Sequence, residues 1–185
     1  MSGIRVCIIS MIFTFIYLIT SIMLTNLIFP NKSNGSLIKI KNKIIGSKLI
    51  GQEFTSNVYF HGRPSLHHYK NNISGNSSFP YFSTELIKNT QDNYSLFTKE
   101  NPNSIPDLNL ITESASGLDP HITYTSALNQ TERITKFSHL DKEQVIKIVQ
   151  KCSKPRIFSL FGDKIVNVLD LNLKLKDLYA KTSRS

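Results

Sequence analysis

Residues 6–31, VCIISMIFTFIYLITSIMLTNLIFPN, run for 26 positions without a charged side chain. About 20 apolar residues suffice to cross the hydrocarbon core of a bilayer. The stretch therefore reads as a transmembrane helix over residues 6–30, preceded by a short tail of residues 1–5. A cleaved signal peptide is the rival, with Arg5 as a small basic leader. The apolar run is longer than the 7 to 15 residues of an h-region, and no A-x-A-like cleavage site follows it.

Ser10, Thr14, Tyr17, Ser21 and Thr25 recur every three or four residues and share one stripe of this helix. Small and hydroxylated residues permit close approach and interhelical hydrogen bonds, which suggests a packing face for a partner helix. The alternative is hydroxyls bonded back to their own helix. Lys32, Lys39, Lys41, Lys43 and Lys48 follow before the first acid, Glu53. Charge counting would keep that side in the cytoplasm, yet long domains translocate largely regardless of charge, so composition does not set the orientation. The lysines also suit anionic headgroups, which makes membrane lipid an expected partner.

The 185 residues carry +9 in all, and Arg5 is the one charged side chain before Lys32, so the remainder keeps eight of the nine. Basic and acidic residues alternate over most of it, with no Cys/His finger or aromatic-rich basic face, which argues against nucleic acid. Cys7 and Cys152 are the only cysteines. With one of them in or beside the span, no disulfide within the soluble part is expected.

Residues 31–185 read as one domain. Residues 36–41, SLIKIK, alternate as a half-buried strand should, with Asn42 turning into a second short strand through Ile45. Residues 88–106 are polar, Asn-rich and punctuated by Pro102 and Pro106, and are expected to form a long loop. Asp141 is an N-cap with Gln144 three residues on, Leu140 and Val145 form a hydrophobic staple, and Val145, Ile148, Val149 and Cys152 make one apolar helix face that Pro155 ends. After a Gly162-Asp163 turn, IVNVLDLNLKL alternates with a phase change between Val168 and Leu169, the pattern of a buried strand with a bulge. The expected fold is a single N-terminal transmembrane helix followed by one mixed α/β (α+β) soluble domain.

Three blocks invite chemistry. GSKLIGQEF, residues 46–54, has phosphate-loop glycine spacing, but Gln52 and Glu53 stand where Lys and Ser or Thr are required, so a turn or bulge is the simpler reading. In YFHGRPS, residues 59–65, Arg63 could clamp an anion, or the block is a Gly-Arg-Pro turn with Tyr59 and Phe60 in the core. His61, His67 and His68 lack the spaced Cys or acidic partners of a metal site. In TESASGLDPHIT, residues 112–123, Ser114 or Ser116 with Asp119 and His121 would make a hydrolytic set, without a nucleophile elbow. A shaping role explains the block better: Gly117 frees the backbone, and Asp119 and Pro120 suit an N-cap and first helical residue.

In this order, after one N-terminal span, NGSLIKIKNKIIGSKLIGQEF, YFHGRPS, IPDLNLITESASGLDPHIT and VNVLDLNL resemble the C subunit of the Kdp potassium-transporting ATPase over nearly the whole chain. The resemblance marks Gly46, Ser47, Leu49, Ile50, Gly51, Gln52 and Phe54 as motif positions, structural or at an interface. It marks Tyr59, Phe60, Arg63, Pro64 and Ser65 likewise, and Ser116, Gly117, Leu118, Asp119, Pro120 and His121. It implies a non-catalytic accessory subunit of a bacterial inner-membrane complex, beside a KdpA-like channel subunit that carries potassium and a KdpB-like P-type ATPase subunit. ATP enters at the level of the complex, where the family's C subunit is assigned a catalytic-chaperone role that raises ATP affinity. The N-terminus would be cytoplasmic and the domain extracytoplasmic, a placement in tension with direct contact to ATP. The chain carries no D-K-T-G signature, since Asp141-Lys142 continues as Glu143 and Asp163-Lys164 as Ile165. It departs from the family at residues 72–86, NISGNSSFPYFSTEL, with Phe79-Pro80 in place of Gly-Pro and Asn-Pro turns. It departs again at residues 133–139, where an R-V-A-x-A-R-G-like run reads RITKFSH. A membrane-anchored hydrolase and an adaptor for another membrane protein remain as alternatives.

Overall fold

The computed structural model describes residues 2–154 and 162–182. The chain divides into two compact units, Met1–Ser47 and Lys48–Ser185.

The first unit begins with α1 (Ser2–Ile28). Its residues Gly3–Ile28 are long and apolar enough to cross a membrane, and none is buried by protein. Thr14 Oγ1 donates to Ser10 O (2.9 Å), Ser21 Oγ to Tyr17 O (2.7 Å) and Thr25 Oγ1 to Ser21 O (2.7 Å). These hydroxyls are thereby satisfied without water, as an apolar surrounding demands. A single turn, α2 (Pro30–Ser33), leads to an antiparallel hairpin of β1 (Leu37–Ile40) and β2 (Lys43–Ser47). Lys41 and Asn42 turn it at φ +47° and +62°, the two left-handed residues that match a hairpin to the strands' twist. The expected strand pair is present, its second strand extending two residues beyond Ile45.

The second unit holds α3 (Thr84–Glu100), α4 (Leu108–Ile111), β3 (His121–Thr123), α5 (Tyr124–Asn129), α6 (Thr131–Ser138), α7 (Lys142–Cys152), β4 (Ser153–Lys154), β5 (Ile165–Asn167) and α8 (Val168–Thr182). The strands form one antiparallel sheet in the order β3-β5-β4. Ile122 and Val166 carry the sheet into a core with Phe60, Ile134, Val145, Val149, Leu171 and Leu175. One apolar N-terminal helix followed by a mixed domain of helices and a small sheet is the fold class expected.

Asp141 caps α7 through Oδ2, which accepts from Gln144 N at 3.3 Å. Leu140 and Val145 are both buried in the core, while Ile148 and Cys152 pack against it. Pro155 lies outside the described residues.

Three expectations are corrected. Residues 88–106 are not a long loop, because most of them lie in α3. Ser83 Oγ caps that helix at Leu86 N (3.1 Å), and Thr90, Ser95 and Thr98 bond back to carbonyls one turn earlier. Phe97 is the one residue of the helix that is buried, so apolar periodicity was too faint to announce it. Residues 168–175 are not strand, because β5 stops at Asn167 and α8 begins at the phase change. The residues α8 buries, Val168, Leu169, Leu171, Asn172 and Leu175, follow a helical period hidden by Leu at every second position. Asp119 and Pro120 do not start a helix. Asp119 Oδ1 accepts from His121 N at 3.0 Å, an Asx turn that enters β3, and Thr123 is the cap of the helix that follows.

His139 follows α6 in the left-handed region at φ +56°, with its side chain exposed. This is the position where the family-like run has glycine. Relief of that strain predicts that His139→Gly raises stability by about 0.5–1 kcal/mol, read as a higher unfolding midpoint. An unchanged or lower midpoint would mean that the histidine has a stabilising contact.

Candidate functional site: an interlocked motif cluster

Most of the sequence blocks meet in the second unit, and backbone groups make many of their contacts. Gly51 N donates to Leu118 O at 2.8 Å. Arg63 reaches the third block through Nη2, which donates to Glu113 O at 2.9 Å, and Nη1, which lies 3.6 Å from Asp119 Oδ2. Ser65 Oγ donates to Gly117 O at 2.7 Å and accepts from Tyr69 N at 3.1 Å. Gly75 N donates to Ser116 O at 2.8 Å.

Tyr69 lies over the glycines. Its hydroxyl donates to Arg63 O at 2.6 Å. A Cβ on Gly51 would run into its ring and come within 2.9 Å of Asp119 O, and one on Gly62 would lie 2.6 Å from its hydroxyl. These glycines are therefore required by close approach. Burial, together with the Asp119 charge, raises the Tyr69 phenol to about 12, so it remains a donor at neutral pH.

Buried amides brace the second block from below. Asn172 Oδ1 accepts from Phe60 N (2.8 Å) and its Nδ2 donates to Phe60 O (2.9 Å). Gln130 Oε1 accepts from His61 N (2.8 Å) and its Nε2 donates to His61 O (3.1 Å). Two side-chain amides thus take the place of a neighbouring strand and satisfy backbone that would otherwise be buried without partners.

Arg133 anchors that brace. Only 3% exposed, it donates to Gln130 Oε1 (2.8 Å), Asn57 O (2.9 Å) and Asn101 Oδ1 (3.2 Å), with His61 Nε2 at 3.2 Å. Burial lowers its guanidinium to about 10, which leaves it charged at pH 7. His61 Nδ1 lies 3.2 Å from Glu100 Oε2. His61 Nε2 also lies 3.1 Å from Ser56 O, so the tautomer decides whether Nε2 accepts from Arg133 or donates to that carbonyl.

Burial, then the Arg133 charge, holds His61 below its ordinary 6.5. A depressed folded-state value means the contribution is complete above the unfolded value and lost as pH falls through the folded one. The unfolding midpoint is expected to decline below about pH 6.5, and His61→Asn is expected to flatten that part of the profile. An unaltered profile in the variant would remove His61 as the cause. Asp119, lowered chiefly by its hydrogen bond to His121, acts in a separate window below the ordinary carboxylate value.

Not every expected residue enters the cluster. Gly46 and Ser47 lie in β2, where Ser47 Oγ donates to Gly35 O at 2.7 Å. Leu49 and Ile50 are exposed in the following turn, Gln52 is half-buried, and the Phe54 ring packs tilted on Tyr59 at 5.8 Å. Phe60 and Pro120 are buried, and Tyr59 packs against the core while Pro64 is half-buried. His68 Nδ1 lies 3.0 Å from Glu53 Oε1, while His61 faces Glu100, so these histidines point at separate carboxylates.

The hydrolytic arrangement is not assembled. His121 Nδ1 lies 3.4 Å from Asp119 Oδ1, but Nε2 faces Lys154 Nζ at 3.5 Å. Ser116 Oγ instead accepts from Leu118 N at 3.1 Å, whereas a triad needs the serine hydroxyl at the second ring nitrogen. Asn172, Gln130 and Tyr69 escaped the sequence reading. The one available signal was a lone Asn or Gln on an otherwise inward helix face, and Tyr69 left none.

One apolar helix followed by a small mixed domain whose sequence blocks lock its own backbone defines the class of this chain. The family described as "K+-transporting ATPase, c chain" matches residues 1–177. The potassium-transporting ATPase KdpC subunit of Gloeobacter violaceus is 44% identical over 148 residues, which cover 80% of this chain and 78% of that one. The KdpC subunit of Caldanaerobacter subterraneus is 42% identical over 160 residues, covering 82% and 80%, and that of Bacillus cytotoxicus 40% over 153, covering 80% and 79%. The chain belongs to the KdpC family.

Proposed function

We propose that the chain is an accessory subunit of an ATP-driven potassium uptake complex, anchored by α1, with its domain outside the cytoplasm and its motif cluster serving assembly. The observation that carries this reading is the family match over residues 1–177. The cluster supports a scaffolding role, because Arg63, Asp119 and Ser65 spend their hydrogen-bonding groups on the chain's own backbone and side chains. The partners in this reading are a KdpA-like channel subunit and a KdpB-like ATPase subunit. An influence on ATP affinity would act through the ATPase subunit, from a domain on the far side of the membrane.

Tagged purification in mild detergent with a potassium-stimulated ATPase assay tests the proposal. Recovery of both partners, with activity lost when this chain is absent, is expected; recovery of the chain alone would overturn it. The stripe of Ser10, Thr14, Tyr17, Ser21 and Thr25 would face a partner helix, because hydroxyls bonded back to their own helix keep that face narrow. Thr14→Leu with Ser21→Leu is then expected to reduce partner recovery severalfold, as close helix packing is lost. Undiminished recovery would exclude this face as the contact.

A further inference from the structure

The β1–β2 hairpin is built as no water-exposed hairpin needs to be. Leu37, Ile40 and Ile44 are 44%, 46% and 54% exposed, and Ser47 is the one buried residue in either strand. An isolated two-stranded hairpin is marginal in water, so its apolar side chains call for cover. Lys39, Lys41 and Lys43 project from the same element, Lys32 precedes it, and residues 1–47 contain no acid. At α2, Lys32 Nζ lies 5.5 Å above the Phe29 ring. Cation and apolar side chain alternate on a short element that begins nine residues after α1 ends.

We propose that this hairpin docks on the surface of an anionic bilayer, with Leu37 and Ile44, which share a face in the register Leu37↔Ser47 and Lys39↔Ile44, at the acyl boundary and Lys39, Lys41 and Lys43 on lipid phosphates. Charge complementarity selects the occupant. An acid-free segment carrying four lysines is attracted to anionic headgroups, and the apolar residues add buried area at the same interface. The span makes the encounter intramolecular, so a weak contact suffices. The inference rests on the reading of α1 as a membrane span.

The chain contains no tryptophan, so Ile44→Trp and, independently, Leu37→Trp each install a single reporter at an exposed site on the same face. The full-length variants are reconstituted in phosphatidylcholine vesicles with and without phosphatidylglycerol. In anionic vesicles we expect blue-shifted emission, quenched by brominated acyl chains and protected from acrylamide. Changing Lys39, Lys41 and Lys43 to Gln is expected to shift the docked-to-undocked ratio by roughly a hundredfold and return the reporters to water. Three results would overturn the proposal: reporters that stay wet in anionic vesicles, protection without quenching by brominated lipid, which means protein covers the hairpin, and protection indifferent to lipid charge and to the Gln changes. Alkaline carbonate extraction separates the two readings. A chain stripped from the vesicles fails the span itself, and a retained chain with wet reporters fails the hairpin alone.

Discussion

Arg133→Ala is expected to lower the stability of the folded domain by about 3 kcal/mol or more, the cost of opening a buried charged network. The substitution removes the donor to Gln130 Oε1, Asn57 O and Asn101 Oδ1 at once. Gln130 also holds both backbone groups of His61, so the loss reaches the YFHGRPS block. Arg133→Lys keeps the charge but not the planar fork of donors, and is expected to restore only part of the deficit. Denaturant unfolding of the purified chain reads both. A loss below about 1 kcal/mol for the alanine variant would mean that water replaces the guanidinium with little penalty.

Gly117→Ala should be the most costly of the glycine substitutions, because two independent penalties meet there. Its φ is +66°, and a Cβ would lie 2.5 Å from Gly75 O. The left-handed conformation costs a residue with a Cβ about 1–2 kcal/mol, and overpacking against backbone about 1–3 kcal/mol. We expect a total near 3 kcal/mol. Two controls divide the sum. Gly162 has φ +76° with open space around it, so Gly162→Ala carries only the conformational part. Gly51 shows no such φ and would meet Tyr69 and Asp119 O, so Gly51→Ala carries only the steric part. Equal losses at Gly117 and Gly162 would show that the loop around Gly75 gives way freely.

The two tests probe one property from opposite sides. Arg133 and the amides hold the second block from the core, while Gly51, Gly117 and Ser65 hold it to its neighbouring loops. If the blocks present a surface to partner subunits, as the proposed function has it, both variants should weaken complex recovery in proportion to lost folding. Arg63, which reaches both Asp119 and the Glu113 carbonyl, joins the same brace.

Features governed by neighbours in the chain were legible from the amino-acid order alone: α1 from an uncharged run, the hairpin from its alternation and Asn42 turn, α7 from Asp141 and its staple. Each is a local signal, in which residues a few positions apart establish length, period or cap. The family, too, was legible, because its blocks are contiguous. Tertiary structure alone decided the rest. It made α3 a helix despite its polar composition, since one buried Phe97, a Ser83 cap and Asn93 Nδ2 on Ile111 O at 3.0 Å hold it. It turned the alternating run after Asn167 into α8, because Asn172 satisfies the buried Phe60 backbone 112 positions away. Apolar periodicity reports only which side chains leave water. Which backbone group a buried Asn, Gln or Arg must satisfy is set by distant segments, and that pairing exists only once the chain is folded.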